Sequence, residues 1–150
     1  MNDFLSTVEI KIKRFDQTLP LPEYKTSGAV AMDLYARIEV SIESQEIGYV
    51  PLNVALQVPL GYWVQISARS SLHKRGLILA NGIGVGDYDF RGDEDEYIAP
   101  LFNFSAKKVV IPQGERIVQM MILPRPSIIL EEVEIFEEKN RGGFGTTGSR

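Results

Sequence analysis

The chain has 150 residues, 44% of them hydrophobic and 24% charged, which is enough for one domain with a buried core. It contains no cysteine and a single histidine, which excludes disulfides, a cysteine nucleophile and thiolate or multi-histidine metal sites. The formal net charge of −4 argues against nucleic acid as a stable partner. No apolar run approaches the roughly 18 residues of a membrane span, and the first residues lack the pattern of a signal peptide, so we expect a cytoplasmic protein.

Short apolar runs broken by Gly, Pro, Asn and Ser follow one another along the chain, and helix signals are scarce. The first run, 8–15, alternates polar and apolar residues as a half-buried strand does. Further strands are predicted at 29–36, 49–61, 62–68, 78–87, 97–105, 108–115, 116–124 and 128–136. About ten short strands at such intervals are typical of an all-β barrel or sandwich of jelly-roll type.

One short helix is predicted at 70–77, SSLHKRGL, where Ser70 or Ser71 can cap the start and Gly76 can end it. His73 lies in the basic part of this stretch, and we expect it at the surface.

The tail at 139–150, KNRGGFGTTGSR, cannot form a core, so the chain divides into a β body at 1–138 and a flexible arm. Two interpretations of the arm stay open. It is a disordered terminus, or it closes over a ligand. In the second case glycine N–H groups and threonine hydroxyls meet phosphate oxygens, and Phe144 offers a flat face to a base.

Three other segments carry candidate chemistry. Arg69, Ser70 and Ser71 offer a forked cation, hydroxyls and free amides at a helix start, which suits a phosphate, although a capped, solvated helix explains them equally well. Asp87 follows an apolar strand, so we expect it at a partly buried strand end, where a carboxylate can take a proton from water; a polar turn is the alternative. Gln119, facing inward on its strand, needs a polar partner.

Five segments in this order resemble the motifs of the dUTPase family, whose members split dUTP into dUMP and pyrophosphate. They run from residue 28 to residue 148 and read GAVAMDLYA, PLGYWVQISARSSLHKRGL, NGIGVGDYDFRGD, GERIVQMMILP and RGGFGTTG. The resemblance implies a β jelly roll, a homotrimer with active sites shared between subunits, and an arm that closes over a neighbour's site. It also implies a role in keeping uracil out of DNA and in supplying dUMP for dTMP synthesis.

The resemblance also assigns roles in the nucleoside pocket. Asp87 falls on the catalytic aspartate, which activates a water for in-line attack on the α-phosphate. Phe90 falls where the family usually has tyrosine, whose ring packs against deoxyribose and leaves no room for a 2′-hydroxyl. Asn81 and the backbone from Gly82 to Gly84 match the segment that reads the uracil edge. Asp89 and Arg91 are expected to hold the shape of the hairpin.

For the triphosphate, the resemblance implies contacts from the second, fourth and fifth motifs. The matching positions are Arg69, Ser70, Ser71, Gln119, Arg141, Thr146 and Thr147. Mg²⁺ is implied as cofactor, held mostly by phosphate oxygens and waters, with Asp33 in an indirect role through water. Phe144 is implied to stack on the uracil as the arm closes.

Three departures from the family pattern stand out. Gly86 replaces a bulky apolar residue just before the aspartate, which we expect to loosen the backbone and reshape the pocket. The return strand carries extra residues, DEDEYIAP, with Pro100 where a strand should be; we expect a bulge or an edge loop there, with its four acids close to the site unless they point away. The arm is short, so either Arg141 or Lys139 takes the place of its phosphate-binding arginine; we favour Arg141.

Two rival functions remain. A dCTP deaminase, alone or bifunctional with dUTPase, shares the fold and needs a glutamate near the cytosine amino group, for which Glu94 or Glu96 could serve. A non-catalytic nucleotide- or protein-binding module on the same fold is the other.

Overall fold

The structure, a computed structural model, describes residues 7–146, and within them nearly all regular structure is β. The helical element in these residues is a single 3₁₀ turn, Leu72–Arg75. The strands are β1 Lys11–Arg14, β2 Met32–Tyr35, β3 Val40–Ile42, β4 Ile47–Pro51, β5 Val54–Gln57, β6 Tyr62–Ala68, β7 Leu77–Leu79, β8 Gly84–Gly86, β9 Ile98–Asn103, β10 Val109–Ile111 and β11 Arg116–Pro124.

The strands form two main sheets and two antiparallel pairs. The larger sheet has the order β2-β11-β6-β8, the smaller has the order β4-β9-β7, and β1 pairs with β5 and β3 with β10. Every pairing is antiparallel. The long strand β11 lies inside the larger sheet and pairs with both β2 and β6. The predicted all-β, jelly-roll-like fold is confirmed.

One hydrophobic core joins the two sheets. The larger sheet contributes Leu34 and Val64, and the smaller contributes Val50 and Leu101, each with 0% of its surface exposed. All four belong to a single cluster of buried residues. Each such side chain stabilises the fold by about 1.5–3 kcal/mol relative to an exposed position, so the sheets are held together by apolar burial.

Two predicted strands are each two strands in the structure. The run 49–61 is interrupted at Asn53, which is buried and adopts a left-handed backbone (φ 69°). Its side-chain amide donates to the Asp16 carbonyl and its side-chain oxygen accepts from the Asp16 N–H. The run 78–87 is interrupted by a turn at Gly82 (φ 72°). In both places a polar turn lies inside an apolar run, so the hydrophobic pattern alone did not reveal it.

The predicted strand at 128–136 is wrong. The structure has no strand between 125 and 146, and the apolar side chains there are exposed, Ile129 by 97% and Phe136 by 84%. A strand needs a partner edge, and no strand of the described part of this chain pairs with the segment.

Of the two expectations for the extra residues, a loop is present and a bulge is not: residues 91–97 form a loop that leads into β9. Pro100 lies inside β9, the central strand of its sheet, in regular register with Tyr49 of β4. Both backbone groups of a residue in an antiparallel strand face the same neighbour, and the Pro100 carbonyl accepts from Ala80, one residue beyond the end of β7. The N–H that Pro100 lacks would therefore have bonded just beyond the end of the β7–β9 ladder, where the loss of one hydrogen bond destabilises the sheet least.

The short predicted helix is present as the 3₁₀ turn Leu72–Arg75. Ser71 occupies the N-cap position without a side-chain hydrogen bond to the turn, and Gly76 ends it in the left-handed region (φ 74°). His73 is exposed, as predicted. Residues 7–146 contain no helix with the length and hydropathy to cross a membrane.

Candidate active site

A short edge strand carries Asp87 out of the larger sheet. Strand β8 pairs with β6, Gly84 opposite Ile66 and Gly86 opposite Val64, and Asp87 follows directly. The Asp87 side chain is exposed, not partly buried as predicted, because the chain turns outward immediately after the strand. Among the described residues it forms no ion pair or side-chain hydrogen bond, so its carboxylate is open to solvent and ligand.

The turn after Asp87 is held by contacts to the body of the protein. The Phe90 N–H donates to the Asp87 carbonyl (3.2 Å). The Arg91 guanidinium lies over the Tyr88 ring, 4.4 Å from its centroid, and its Nη1 donates to the Val58 carbonyl (3.3 Å). Arg91 therefore holds the shape of the hairpin through Tyr88 and Val58. Asp89, which was expected to help, is exposed and forms no side-chain hydrogen bond or ion pair among the described residues.

The hairpin and its neighbours enclose the first of two clefts. We call it the nucleoside cleft; its volume is about 340 Å³ and its lining includes Asn81, Gly84, Asp87, Phe90 and Tyr97. The structure thus brings together the residues that the sequence assigned to uracil, deoxyribose and catalysis. Gly82 forms the adjoining turn, where its N–H donates to the Leu79 carbonyl (3.1 Å).

The Tyr97 ring occupies the space beside Gly86 that a larger side chain at position 86 would fill. A Cβ at position 86 would lie 2.7 Å from Cε1 and 2.8 Å from Cζ of Tyr97. The glycine therefore makes room for a ring contributed by the extra residues of the return strand, and that ring reshapes the cleft at this position. Burial, followed by the nearby charges of Asp87 and Asp95, raises the pKa of Tyr97 to about 12.

The acids of the extra residues are directed mainly to partners in the same chain. Asp93 meets Lys13, whose Nζ donates to the Asp93 carbonyl (2.8 Å), and Asp95 accepts from the Gly92 N–H (2.6 Å). Glu96 accepts two hydrogen bonds from Arg37, at 2.7 and 3.0 Å, and a third from the Asn53 N–H at 3.0 Å. The hydrogen bond to Glu96 is the largest cause that raises the pKa of Arg37.

The second cleft is basic. We call it the phosphate cleft; its volume is about 450 Å³ and its lining includes Arg69, Ser71, Lys74 and Arg116. Asp33 orients two of these cations: one oxygen lies 3.1 Å from Arg69 Nε and the other 3.2 Å from Arg116 Nη1. Arg69 also donates to the Arg116 carbonyl (2.9 Å). A fixed pair of guanidiniums of this kind is suited to bind an anion.

Two predicted phosphate residues lie next to this cleft. Ser70 is exposed at the start of the 3₁₀ turn. Gln119 is half-buried, and its amide donates to the Ala68 carbonyl (3.0 Å). It does not face inward as predicted, because Val118 and Met120 on either side of it belong to the core and side chains alternate along a strand. The side-chain oxygen of Gln119 remains to accept a hydrogen bond.

The two clefts lie at opposite ends of β6. Asp87 comes directly after β8 and lies opposite position 63, near the start of β6. Arg69 comes directly after Ala68, the last residue of β6. Six residues of strand span about 20 Å, and the two clefts share no lining residue. Within one chain, Asp87 and Arg69 therefore do not face the same ligand.

The described part of the arm, residues 139–146, makes only local contacts. Phe144 is fully exposed with a left-handed backbone (φ 51°), and the Thr146 hydroxyl bonds the backbone of Gly143 at 2.7 and 2.8 Å. Arg141 and Lys139 are both exposed, so neither is favoured by its position. Thr147 lies outside the described residues.

Sequence reasoning missed two residues that shape the clefts. Arg116 was visible in the GERIVQ motif but was given no role; its place beside Asp33 depends on a register shift between β2 and β11. Tyr97 lies outside every motif. Its only signal in the sequence was Gly86, because a glycine in place of a bulky residue indicates that another side chain fills that volume.

No group of three or more His, Asp or Glu side chains among residues 7–146 could hold a metal ion. The Asp33 carboxylate is already bound by two guanidiniums. A cation held mostly by phosphate oxygens and waters, the usual manner of Mg²⁺ with nucleotides, needs no such cage.

The fold and the clefts define a jelly-roll-like, all-β protein with an aspartate-bearing hairpin beside an open cleft. The dUTPase family model matches residues 17–148. The chain is 38% identical to the deoxyuridine 5′-triphosphate nucleotidohydrolase of Dictyoglomus turgidum, over 94% of this chain and 99% of that protein. It is 39% identical to that of Caldanaerobacter subterraneus, over 95% and 99%. The chain belongs to the dUTPase family.

Solved structures agree with this fold. The crystal structure of dUTPase from Streptococcus mutans has a TM-score of 0.72 at 28% identity, covering 79% of this chain and 98% of that chain. A Staphylococcus bacteriophage 80alpha dUTPase mutant with dUpNHpp has a TM-score of 0.81 at 21% identity, covering 93% and 98%.

Proposed function

We propose that this protein is a dUTP diphosphatase, which hydrolyses dUTP to dUMP and pyrophosphate. The observation that carries the proposal is the convergence of Asp87, Phe90 and Asn81 on one cleft in a chain of the dUTPase family. The reaction would keep uracil out of DNA and supply dUMP for dTMP synthesis.

The nucleoside cleft is suited to a deoxyribonucleotide. The Phe90 ring is 37% exposed, so one face is available to pack against the sugar. The Phe90 ring has no hydroxyl and cannot hydrogen-bond to the 2′-hydroxyl of a ribonucleotide. Burying that 2′-hydroxyl against the ring would therefore cost desolvation energy. Asn81 and the backbone groups between Gly82 and Gly84 supply donors and acceptors for the uracil edge.

Asp87 is the general base of the proposed reaction. Its carboxylate accepts a proton from a water that attacks the α-phosphorus in line. The new bond joins the water oxygen to the α-phosphorus, and the bond from that phosphorus to the oxygen bridging the α- and β-phosphates breaks. The electron pair leaves with pyrophosphate, and the phosphorus stays on dUMP.

The charge of the triphosphate is met by the phosphate cleft. Arg69, fixed by Asp33, with Ser70, Ser71 and Gln119 beside it, provides cationic and neutral donors. Mg²⁺, when bound to the phosphate oxygens, supplies further positive charge there. We assign Asp33 primarily to orienting Arg69, with any contact to a metal-bound water secondary.

We infer that each active site is assembled from more than one subunit of a homotrimer. The separation of about 20 Å along β6 between Asp87 and Arg69 supports this, because a nucleoside triphosphate held by Asp87 is separated from the paired guanidiniums of Arg69 and Arg116 in its own chain. The cation that its own chain places beside Asp87 is Arg125. The exposed apolar segment 128–136 supports it further, since a neighbouring subunit would supply the missing strand partner.

The residues 139–150 act, in this proposal, as an arm that closes over a neighbour's site. Full exposure of Phe144 in its own chain leaves the ring available to stack on uracil. Arg141 or Lys139, with Thr146 and Thr147, would then reach the terminal phosphates.

The deaminase alternative would require Glu94 or Glu96 at the cytosine amino group. Glu96 is already bonded to Arg37 and to the Asn53 N–H, and Glu94 is exposed. These contacts favour hydrolysis over deamination.

A product assay tests the proposal. Purified protein with Mg²⁺ is given dUTP, dCTP, dTTP and UTP separately, and pyrophosphate and ammonia are followed. We expect pyrophosphate from dUTP and none from the other three. Ammonia from dCTP would establish the deaminase, and no product from any nucleotide would establish a binding module.

A further inference from the structure

Gly86 and Tyr97 fit each other closely in the nucleoside cleft. Gly86 is buried, and the Tyr97 ring occupies the volume that a side chain at position 86 would fill. Only 6% of Tyr97 is exposed and it belongs to the hydrophobic core, so the ring cannot move aside without opening a void.

The Tyr97 ring supports Phe90 from inside the protein. The two rings meet edge to face, with centroids 5.1 Å apart and planes at 84°, which is a favourable aromatic geometry. Because the Phe90 N–H also bonds the Asp87 carbonyl, the ring that packs on Tyr97 belongs to the same turn as the proposed base.

The backbone of Tyr97 is fixed on both sides. Its N–H donates to the Val54 carbonyl (3.0 Å), and its carbonyl accepts from the Leu52 N–H (2.9 Å). The preceding residue, Glu96, is held by Arg37. The extra residues of the return strand are therefore fixed by these hydrogen bonds, and they place the Tyr97 ring at the back of the nucleoside cleft.

We propose that Tyr97 is a positioning residue that sets the Phe90 ring against the sugar of a uridine nucleotide, and that Gly86 is the glycine that this ring requires. The inference rests on the proposed function and adds a determinant of deoxyribose selectivity. If the ring behind Phe90 is removed, Phe90 can sink into the void, and the space it denied to a 2′-hydroxyl opens.

A purely structural role for Tyr97 makes a different prediction. Removing a core ring lowers the melting temperature wherever the ring lies, but only a positioning ring also changes the preference for dUMP over UMP. Ile111, fully buried in β10 and absent from the cleft lining, provides the matched control.

The first measurement is the ratio of the UMP and dUMP dissociation constants by calorimetry. We expect the ratio to fall roughly tenfold in Tyr97→Ala. It should stay within about twofold of wild type in Tyr97→Phe, which keeps the ring, and should not change in Ile111→Ala. A ratio in Tyr97→Ala equal to that in Ile111→Ala would overturn the positioning role.

The second measurement is a double-mutant cycle on melting temperature. Gly86→Val alone should lower it by roughly 5 °C or more, because the new side chain meets the Tyr97 ring. In the Tyr97→Ala background the same change should raise it, because the valine fills the void. If Gly86→Val changes the melting temperature in the same direction in wild type and in Tyr97→Ala, the close fit between Gly86 and Tyr97 would be overturned. If the wild-type protein binds neither dUMP nor UMP, the proposed function and the positioning role both fail. The double-mutant cycle still tests whether Gly86 and Tyr97 fit each other.

Discussion

Replacing Glu96 with alanine removes the anchor of the segment that carries Tyr97. Glu96 accepts two hydrogen bonds from Arg37 and one from the buried Asn53 N–H. Its side chain is only 11% exposed and that of Arg37 is 32% exposed. The change therefore leaves one guanidinium without its anion and one buried backbone donor without its acceptor.

The contacts give the size of the effect. Leaving a buried N–H unsatisfied costs about 1–3 kcal/mol. Breaking a buried ion pair costs about 3–5 kcal/mol, which the partial exposure of Arg37 reduces to about 1–2 kcal/mol because water reaches the remaining charge. We expect a total loss of about 3 kcal/mol in the free energy of unfolding. For a chain of this length that corresponds to a fall in Tm of about 6–12 °C.

Urea unfolding and thermal melts at one fixed protein concentration measure this loss. Glu96→Gln, which keeps one acceptor, should lie between wild type and Glu96→Ala. Glu23→Gln breaks the exposed pair with Lys25 and should leave the free energy of unfolding close to that of wild type. If Glu96→Ala loses no more stability than Glu23→Gln, the segment is not anchored by Arg37 and the reasoning is refuted.

Three further predictions concern the clefts. Because the folded-state pKa of Tyr97 is raised from 10.0 to about 12, the stability from its neutral phenol is complete below pH 10 and is lost as the pH rises through about 12. Tyr97→Phe should abolish roughly 2 kcal/mol of that alkaline loss in urea melts between pH 9 and 12, and an unchanged dependence of stability on pH would contradict this. Asp33→Asn should loosen Arg69 and Arg116 and raise the KM for dUTP about fivefold, the equivalent of about 1 kcal/mol; steady-state kinetics would contradict this if only kcat changed. Asp87→Asn should lower kcat about 10²–10⁴-fold while dUMP binding by calorimetry persists, and full activity would remove Asp87 from the role of base.

The sequence was sufficient for the fold class and for most strands because alternation and glycine or proline turns are local signals. It was also sufficient to bring Asn81, Asp87 and Phe90 into one cleft, since they lie on a single hairpin. The internal turns at Asn53 and Gly82 were hidden because apolar residues flank them on both sides.

Other features depend on contacts between distant residues. The filling of Gly86 by Tyr97 and the bracing of Glu96 by Arg37 join parts of the chain that no local pattern relates. The segment 128–136 has the composition of a strand but no partner edge in its own chain, so propensity alone predicted an element that the described part of the chain does not form.

Subunit complementation tests the central claim most directly. Asp87→Asn and Arg69→Ala subunits, each assayed alone, should release almost no pyrophosphate from dUTP, because every site lacks either the base or the phosphate-binding cation. Trimers reassembled from an equal mixture should recover about a quarter of the wild-type sites, since each contribution comes from an intact subunit half of the time. Recovery near that level establishes a dUTP-hydrolysing site built from two subunits. A mixture as inactive as its components, when wild type is active and mixed trimers are verified, would contradict the account.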